Sequence, residues 1–289
     1  MEQKNSKWYL LLFLGCVWGS SFILMQQGLK GVTSLQLGSL RILFAAVFLF
    51  IVGFKQIPLI PSYKWKYIAL TSLFGTFIPA FLFAFALSKI DGSISSILNS
   101  LTPLNTLLVG LVFFNLPIIR SQLFGVIIGF VGCSLLVFFG KENGTSENLY
   151  YALFIVIASL FYGINVNLIK KYLSDLKPLT ISTGNFLVMF VPALCVLYFT
   201  GFFDIVSQEK VQTSLYYIAI LGIVGTGFSN ILFFKLIQLS SPVFASSVTY
   251  IIPIVAIFLG YFFKNEVLSL LQILGSLIVL VGVYFSSKK

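Results

Sequence analysis

The sequence contains no histidine, and charged residues make up only 9% of its 289 residues. Its three cysteines, Cys16, Cys133 and Cys195, are widely separated and lie in apolar stretches, so no disulfide framework is expected. None of the eight acidic residues lies deep inside an apolar stretch. A metal cluster, or a nucleophile with its base, needs such groups close together, so we expect neither an enzyme nor a cofactor.

Apolar residues dominate what is present. Hydrophobic residues make up 58% of the chain and the mean hydropathy is +1.04, far outside the range of soluble proteins. Each apolar stretch is long enough to cross about 30 Å of hydrocarbon as a helix. The sequence therefore predicts an all-α integral membrane protein with ten transmembrane helices, near residues 8–29, 37–54, 63–87, 93–116, 122–139, 149–172, 179–200, 215–238, 242–263 and 268–285.

Lysine and arginine are distributed unevenly between the predicted loops. With the N-terminus inside, the inner segments carry eleven of the eighteen cations and the outer segments five, while Arg41 and Lys235 lie within predicted helices. Because cationic loops are retained on the cytoplasmic side, we expect a protein of the cell membrane with both termini in the cytoplasm. Basic loops that face anionic lipid explain the net charge of +10, and no nucleic-acid partner is expected.

The second half of the chain repeats the first. A shift of 150 residues, without a gap, aligns Tyr67 with Tyr217, Gly75-Thr76 with Gly225-Thr226, Phe83 with Phe233, Pro103 with Pro253, and Gln122 with Gln272. Near the start of each copy the shift is 144 residues, which aligns Trp18 with Tyr162 and Arg41 with Asn185. We expect two domains of five helices each, residues 1–143 and 144–289. Because five is odd, the repeats are inverted, and inverted repeats predict alternating access about a central cavity.

Two predicted helices combine a polar face with a proline. In the fourth, Pro103 has no N–H to donate to the carbonyl of Asn99, and in the ninth, Pro253 leaves the carbonyl of Thr249 free. Broken backbone at membrane depth is tolerated where protein or water satisfies it, so both positions point to a central site. The alternative is a helix bend whose carbonyls are satisfied by neighbouring hydroxyl groups, without substrate contact.

Polar side chains within the predicted helices should face the bundle, because an unpaired polar group in hydrocarbon costs free energy. The predicted substrate pathway draws on both copies and consists of Trp18, Ser21, Arg41, Asn99, Thr102, Pro103, Tyr162, Asn165, Asn185, Asn230, Lys235, Thr249, Tyr250 and Pro253. Each of these side chains either touches the substrate or pairs with another side chain, and the sequence alone leaves both uses open.

Arg41 and Lys235 are the cations inside predicted helices. An unpaired cation there costs about 2.5–3.5 kcal/mol on insertion scales, so each must reach the interface, pair with carbonyls or meet an anionic group of the substrate. Lys235 lies about one turn from the predicted cytoplasmic end of its helix, which favours the first alternative. The sharper hypothesis is that Lys235 binds a substrate carboxylate, as amino acids or their derivatives would provide.

Several motifs resemble those of EamA-type members of the drug/metabolite transporter superfamily. The run Val248–Ala256 is similar to the family's second-repeat signature, Trp18–Phe22 to its first-repeat motif, and Phe233–Leu236 to the basic position that often precedes the ninth helix. The resemblance continues through Arg41, Gly260, Glu266, Gln272, Gly275 and Gly282. One departure is Asn265-Glu266, where the family often has Gly-Glu.

The resemblance implies a ten-helix fold in which the first four helices of each repeat surround a central cavity, while the fifth and tenth pack outside. Glycines in the fifth and tenth helices agree with this, because small residues let helices approach closely in lipid. Gly125-x-x-x-Gly129 leaves two alternatives. The chain is a monomer in which these glycines pack within their own bundle, or it is a weak homodimer through the fifth and tenth helices.

Together these expectations describe a multi-pass transporter that moves a small metabolite or drug-like solute, with amino acids or their derivatives among the candidates. Because no acid is embedded and histidine is absent, export by facilitated diffusion or exchange is favoured over proton coupling. The alternatives are a proton-coupled antiporter, in which Lys235 or Glu266 titrates, and a channel or signalling membrane subunit.

Overall fold

The computed structural model describes residues 2–90, 92–117, 119–138, 149–264 and 270–286, together with Lys288. Most of these residues are helical, and no strand occurs among them. The α-helices in chain order are α1 (Glu2–Gly28), α2 (Ser34–Gly53), α3 (Trp65–Ser72), α4 (Ile78–Leu87), α5 (Gly92–Asn99), α6 (Thr102–Phe114), α7 (Arg120–Phe138), α8 (Leu149–Leu168), α9 (Pro178–Phe199), α10 (Phe202–Ile205), α11 (Glu209–Gly222), α12 (Ser229–Leu239), α13 (Pro242–Ser246), α14 (Ile251–Lys264) and α15 (Leu270–Ser286). The expected domain boundary at residues 143–144 and the motif Asn265-Glu266 lie outside the described residues.

Length and composition make six helical segments able to cross a membrane: Ser6–Gly28, Ser34–Leu59, Ser62–Leu87, Tyr150–Leu173, Pro178–Phe199 and Glu209–Leu239. Four shorter apolar helices accompany them: Thr102–Phe114, Arg120–Gly132, Pro242–Val255 and Ile273–Ser286. Large apolar side chains on the outside, such as Ile51, Tyr150 and Phe199, are at least 80% exposed. Such a surface suits lipid rather than water. The prediction of an all-helical membrane protein is confirmed.

Two long helical segments contain a π-helical turn at positions that align in the sequence repeat. α3 continues into α4 through Leu73–Phe77, and α11 continues into α12 through Ile223–Phe228. In the second of these, Thr226 Oγ1 donates to the carbonyl of Leu221, five residues earlier, at 3.0 Å. A π-turn widens the helix and leaves backbone groups to be paired by side chains. Both turns lie beside the cavity described below.

The two helices that carry the aligned prolines are also interrupted. Two residues separate α5 from α6, and a 3-10 turn, Ser247–Tyr250, separates α13 from α14. The carbonyl of Asn99 accepts a hydrogen bond from Thr102 Oγ1 at 2.6 Å. The carbonyl of Thr249 accepts one from Ser100 Oγ at 3.4 Å. Hydroxyl groups of the protein therefore satisfy the carbonyls that the prolines leave free.

Glycines hold α7 and α15 in close contact. A Cβ atom placed on Gly282 would lie 2.5 Å from the backbone nitrogen of Gly129, and one on Gly125 would lie 2.5 Å from the backbone nitrogen of Ser286. Only residues without a side chain allow backbones to approach this closely. Gly125 and Gly129 therefore contact α15 of their own chain.

Candidate functional site

The interior of the helix bundle contains a cavity of about 80 Å³, which is room for several water molecules. Its wall combines aromatic and aliphatic side chains with amides, hydroxyls and one guanidinium group. The residues that line it are Trp18, Ser21, Phe22, Met25, Arg41, Gly75, Thr76, Ala80, Phe83, Asn99, Thr102, Tyr162, Asn165, Thr226, Asn230, Phe233, Ser246, Val248, Thr249 and Ile252. An apolar wall with a few converging polar groups is typical of a small-molecule site.

Nine of the fourteen residues predicted for the pathway lie in this wall: Trp18, Ser21, Arg41, Asn99, Thr102, Tyr162, Asn165, Asn230 and Thr249. They come from both halves of the chain. The helix interruptions and one π-turn contribute directly, since Asn99 ends α5, Thr249 lies in the 3-10 turn and Thr226 lies in a π-turn. The irregular backbone thus borders the cavity, as membrane-embedded irregular structure generally does.

Four other predicted pathway residues are buried outside the wall: Pro103, Asn185, Tyr250 and Pro253. The hydroxyl of Tyr250 donates to the carbonyl of Val126 at 2.9 Å, and its ring packs across Gly129. The amide of Asn185 lies 3.0 Å from Thr71 Oγ1. These polar groups connect helices, a use that a sequence pattern cannot separate from substrate contact, because both require a polar side chain that faces the bundle.

Lys235, the fourteenth residue, is exposed on α12 and does not line the cavity. Its neighbours Phe234 and Leu236 are fully buried, so the helix turns the lysine outward. This position agrees with the interfacial alternative for Lys235 and gives no support to the hypothesis of a bound substrate carboxylate. Among the described residues of the wall, the cation is Arg41.

Arg41 projects from α2 into the wall and contacts the second half of the chain. Its Nε donates to Thr226 Oγ1 at 2.6 Å, and its Nη1 lies 3.9 Å from Met25 Sδ. The ion pair found in the described part of the chain joins Lys64 to Asp175, so no described carboxylate is paired with Arg41. The cavity therefore carries a positive charge that the described residues do not neutralise.

Two ring contacts in the cavity wall are related to each other by the sequence repeat. Trp18 contacts Phe233 with ring centroids 5.0 Å apart, and Tyr162 contacts Phe83 at 6.0 Å. The shift of 144 residues relates Trp18 to Tyr162, and the shift of 150 relates Phe83 to Phe233. Trp18 also donates from Nε1 to the carbonyl of Gly225, in a π-turn, at 3.0 Å. Each ring contact therefore joins one half of the chain to the other.

Sequence reasoning missed Thr76 and most of the apolar wall. The hydroxyl of Thr76 accepts from Asn230 Nδ2 at 3.5 Å. Its alignment with Thr226 in the repeat is a signal that could have found it. Apolar wall residues such as Phe22 and Val248 give no comparable signal, because the sequence pattern of a side chain that faces a cavity is the same as that of one that faces another helix.

Polar and aromatic contacts join two segments at one end of the bundle. Lys64, in the 3-10 turn before α3, forms an ion pair with Asp175 and donates to the carbonyl of Tyr172 at 3.2 Å. The ring of Tyr67 stacks on Tyr172 with centroids 4.1 Å apart. The hydrogen bond from Lys64 holds the pKa of the Asp175 carboxyl below its ordinary value. These contacts join the start of α3 to the segment that follows α8.

An all-helical bundle with a lipid-facing exterior and an internal cavity lined by both halves is the architecture of a membrane transporter. The model of the EamA-like transporter family matches residues 6–138 and 149–288, and the chain belongs to that family. A solved crystal structure that is 13% identical aligns with a TM-score of 0.74 over 98% of this chain and 96% of its own, which shows the same fold.

Three curated relatives match this chain over 85–95% of their own length. The chain is 24% identical to "Uncharacterized transporter YoaV" of Bacillus subtilis, covering 94% of this chain and 93% of that protein. It is 26% identical to "Protein PecM" of Dickeya dadantii, covering 90% and 85%. It is 21% identical to "Probable amino-acid metabolite efflux pump" of Salmonella typhimurium, covering 99% and 95%. The names of the Bacillus subtilis and Salmonella typhimurium proteins both describe transport.

Proposed function

We propose that this protein is a carrier that moves a small metabolite across the cell membrane by alternating access between two inverted five-helix repeats. The observation that carries the proposal is the pair of equivalent ring contacts, Trp18 with Phe233 and Tyr162 with Phe83, which join the halves beside the cavity. In an alternating-access carrier the two halves exchange conformations around a fixed central site. Equivalent contacts on the two sides of a cavity are what such an exchange requires.

Three further observations support two inverted repeats, residues 1–143 and 144–289. The family model matches twice, once in each half. The six long apolar segments and the four shorter apolar helices add up to ten, five in each half. Two π-turns, Leu73–Phe77 and Ile223–Phe228, and the two proline interruptions occur at aligned positions. From the charge distribution of the loops we propose that both termini lie in the cytoplasm.

The substrates we propose are amino acids or their derivatives, and the direction is export. The name of the Salmonella typhimurium relative, an amino-acid metabolite efflux pump, supports both points. For coupling we propose facilitated diffusion or exchange. The described wall of the cavity contains no carboxylate, and a proton-coupled antiporter commonly uses an embedded one. Proton coupling through Glu266, which lies outside the described residues, is the second candidate.

Flux into proteoliposomes tests the proposal. We expect saturable uptake and counterflow of a radiolabelled amino acid from a panel, with the same rate in the presence and absence of a pH gradient. Thr76→Phe, which adds a ring to the cavity wall, should abolish the flux, whereas Lys235→Gln, on the exposed face of α12, should leave it unchanged. A fast conductance that rises linearly with concentration would refute the carrier and favour a channel. A rate that follows the pH gradient would establish the proton-coupled alternative.

A further inference from the structure

Arg41 is a cation in the cavity wall without an anionic partner among the described residues. Two of its nitrogens are in contact with protein, Nε with Thr226 Oγ1 and Nη1 with Met25 Sδ, while a guanidinium group has five N–H donors. Its counterpart in the repeat, Asn185, is buried outside the cavity. The charge therefore lies on one side of the site, without a counterpart in the second repeat. A charge in a membrane interior is costly unless it is paired, so the cavity favours a ligand with an anionic group.

Asn165 supplies a hydrogen-bond acceptor, whereas Arg41 supplies donors. The residue lines the cavity and is 2% exposed, yet its Oδ1 has no hydrogen-bond partner. Its side chain lies directly over Gly75, where an added Cβ would be 2.5 Å from Asn165 Cγ. The counterpart of Asn165 in the repeat is Ser21, whose hydroxyl donates its hydrogen to the carbonyl of Val17 at 2.7 Å. The two copies therefore differ at this position, with an amide in one and a hydroxyl in the other.

We propose that Arg41 and Asn165 form a two-point recognition site for a small zwitterionic aminocarboxylate. Arg41 binds the carboxylate through its planar pair of N–H groups, and the amide oxygen of Asn165 accepts a hydrogen bond from the amine of the ligand. In the structure Oδ1 is buried and has no hydrogen-bond partner, so the proposal requires the amide to turn this oxygen toward the ligand. The inference rests on the transport function proposed above and names the class of solute that the same cavity takes.

The rest of the cavity wall determines which side chain the amino-acid ligand can carry. Phe22, Phe83, Phe233 and Ile252 line the cavity, and the described wall contains no carboxylate that could bind a cationic side chain. Burial of an apolar side chain of the ligand against these residues is favourable, whereas a charged side chain of the ligand would have no partner. The site therefore selects amino acids with apolar side chains over those with charged ones.

Ligand-induced thermal stabilisation of the purified full-length protein tests the site directly. The probes are L-alanine, L-valine, L-leucine, L-methionine and L-phenylalanine, and for the tightest of these also its methyl ester and its deaminated acid. We expect the methyl ester to bind the wild type at least ten-fold more weakly than the free amino acid, and the deaminated acid to bind more weakly as well.

The variants separate the two contacts. Arg41→Gln should bind the amino acid and its methyl ester equally, and Asn165→Ala should bind the amino acid and the deaminated acid equally. Lys235→Gln removes the same charge outside the cavity and should keep the wild-type order. If Arg41→Gln does not yield folded protein, Arg41→Lys is the substitute, because it keeps the charge but loses the planar guanidinium group. It should reduce the difference in affinity between the free amino acid and its methyl ester.

Two results would overturn the site. One is that none of the five amino acids stabilises the wild type, and the other is that the wild type binds the free amino acid and its methyl ester with equal affinity. Flux measurements keep this outcome distinct from failure of the proposed function. Saturable flux of another solute without amino-acid binding would remove the site and leave the carrier. Amino-acid binding with the predicted variant pattern, but without flux of any bound probe, would retain the site and remove the carrier.

Discussion

The ion pair between Lys64 and Asp175 should favour the conformation in which its end of the bundle is closed. It joins the 3-10 turn before α3 to the segment after α8, beside the stacked rings of Tyr67 and Tyr172. In the proposed carrier these parts belong to different halves and must separate when this end opens. We predict that Asp175→Asn, which removes the charge and keeps the shape, raises the population of the open conformation.

The exposure of the two partners sets the size of this effect. The side chain of Asp175 is 63% exposed, and that of Lys64 is 6% exposed. Exposed ion pairs contribute about 0.2–1 kcal/mol because solvent screens them. A buried donor that loses its partner costs about 1–3 kcal/mol, although Lys64 keeps the carbonyl of Tyr172 at 3.2 Å. We expect a loss of about 1 kcal/mol, which corresponds to about a five-fold change in the ratio of open to closed molecules.

Accessibility of a cysteine in the cavity measures this ratio. In a variant without native cysteines, Thr76→Cys places one thiol in the wall, and a membrane-impermeant thiol reagent is applied to one face of sealed vesicles. Asp175→Asn should increase the labelling rate about five-fold from the face at the Lys64 end, because the rate follows the open population when most molecules are closed. Labelling from the other face should not increase.

Two controls decide whether the ion pair is the cause. Asp204→Asn makes the same charge change at an exposed acid in α10 that forms no salt bridge with a described residue, and it should not alter labelling. Lys64→Met combined with Asp175→Asn should add little to Lys64→Met alone, since partners in one contact are not additive. An unchanged rate in Asp175→Asn, or an equal increase in Asp204→Asn, would refute the reasoning.

Three more outcomes follow from the structure. The pKa of Asp175 lies below its ordinary value of 3.8, so the ion pair is lost only as pH falls through that lower pKa. Labelling itself rises with pH because the thiolate is the reacting form, but the ratio of the labelling rate with Asp175→Asn to the rate with Asp175 should be constant from about pH 5 to pH 8. Gly282→Ala should lower the unfolding midpoint in detergent, at a cost of about 1–3 kcal/mol, because the added Cβ meets the backbone of Gly129. Gly92→Ala should not lower it, because the nearest atom to the added Cβ, Phe22 Cδ1, is 3.5 Å away, an ordinary contact distance. Tyr250→Phe should lose one buried hydrogen bond, about 1 kcal/mol, and keep its flux if the residue only joins helices.

The sequence predicted those features that depend on order along the chain. Hydropathy identifies membrane helices because a bilayer leaves backbone groups unpaired unless they bond within the segment. The register of 150 residues located the two helix interruptions, since both copies carry a proline at the same position. Polar residues inside apolar stretches indicated which helices face inward. Nine of the fourteen residues predicted in this way line the cavity.

Tertiary structure decided which inward polar residue meets the cavity and which meets a neighbour. Tyr250 and Arg41 both look like pathway residues in the sequence, but Tyr250 donates to Val126 while Arg41 lines the cavity. Lys235 turns outward because its buried neighbours set the rotation of α12. The unused acceptor of Asn165 is visible only when all its neighbours are known. The hydropathy pattern indicates that a polar side chain faces away from lipid. The contacts that this side chain makes are set by packing between residues that are far apart in the chain.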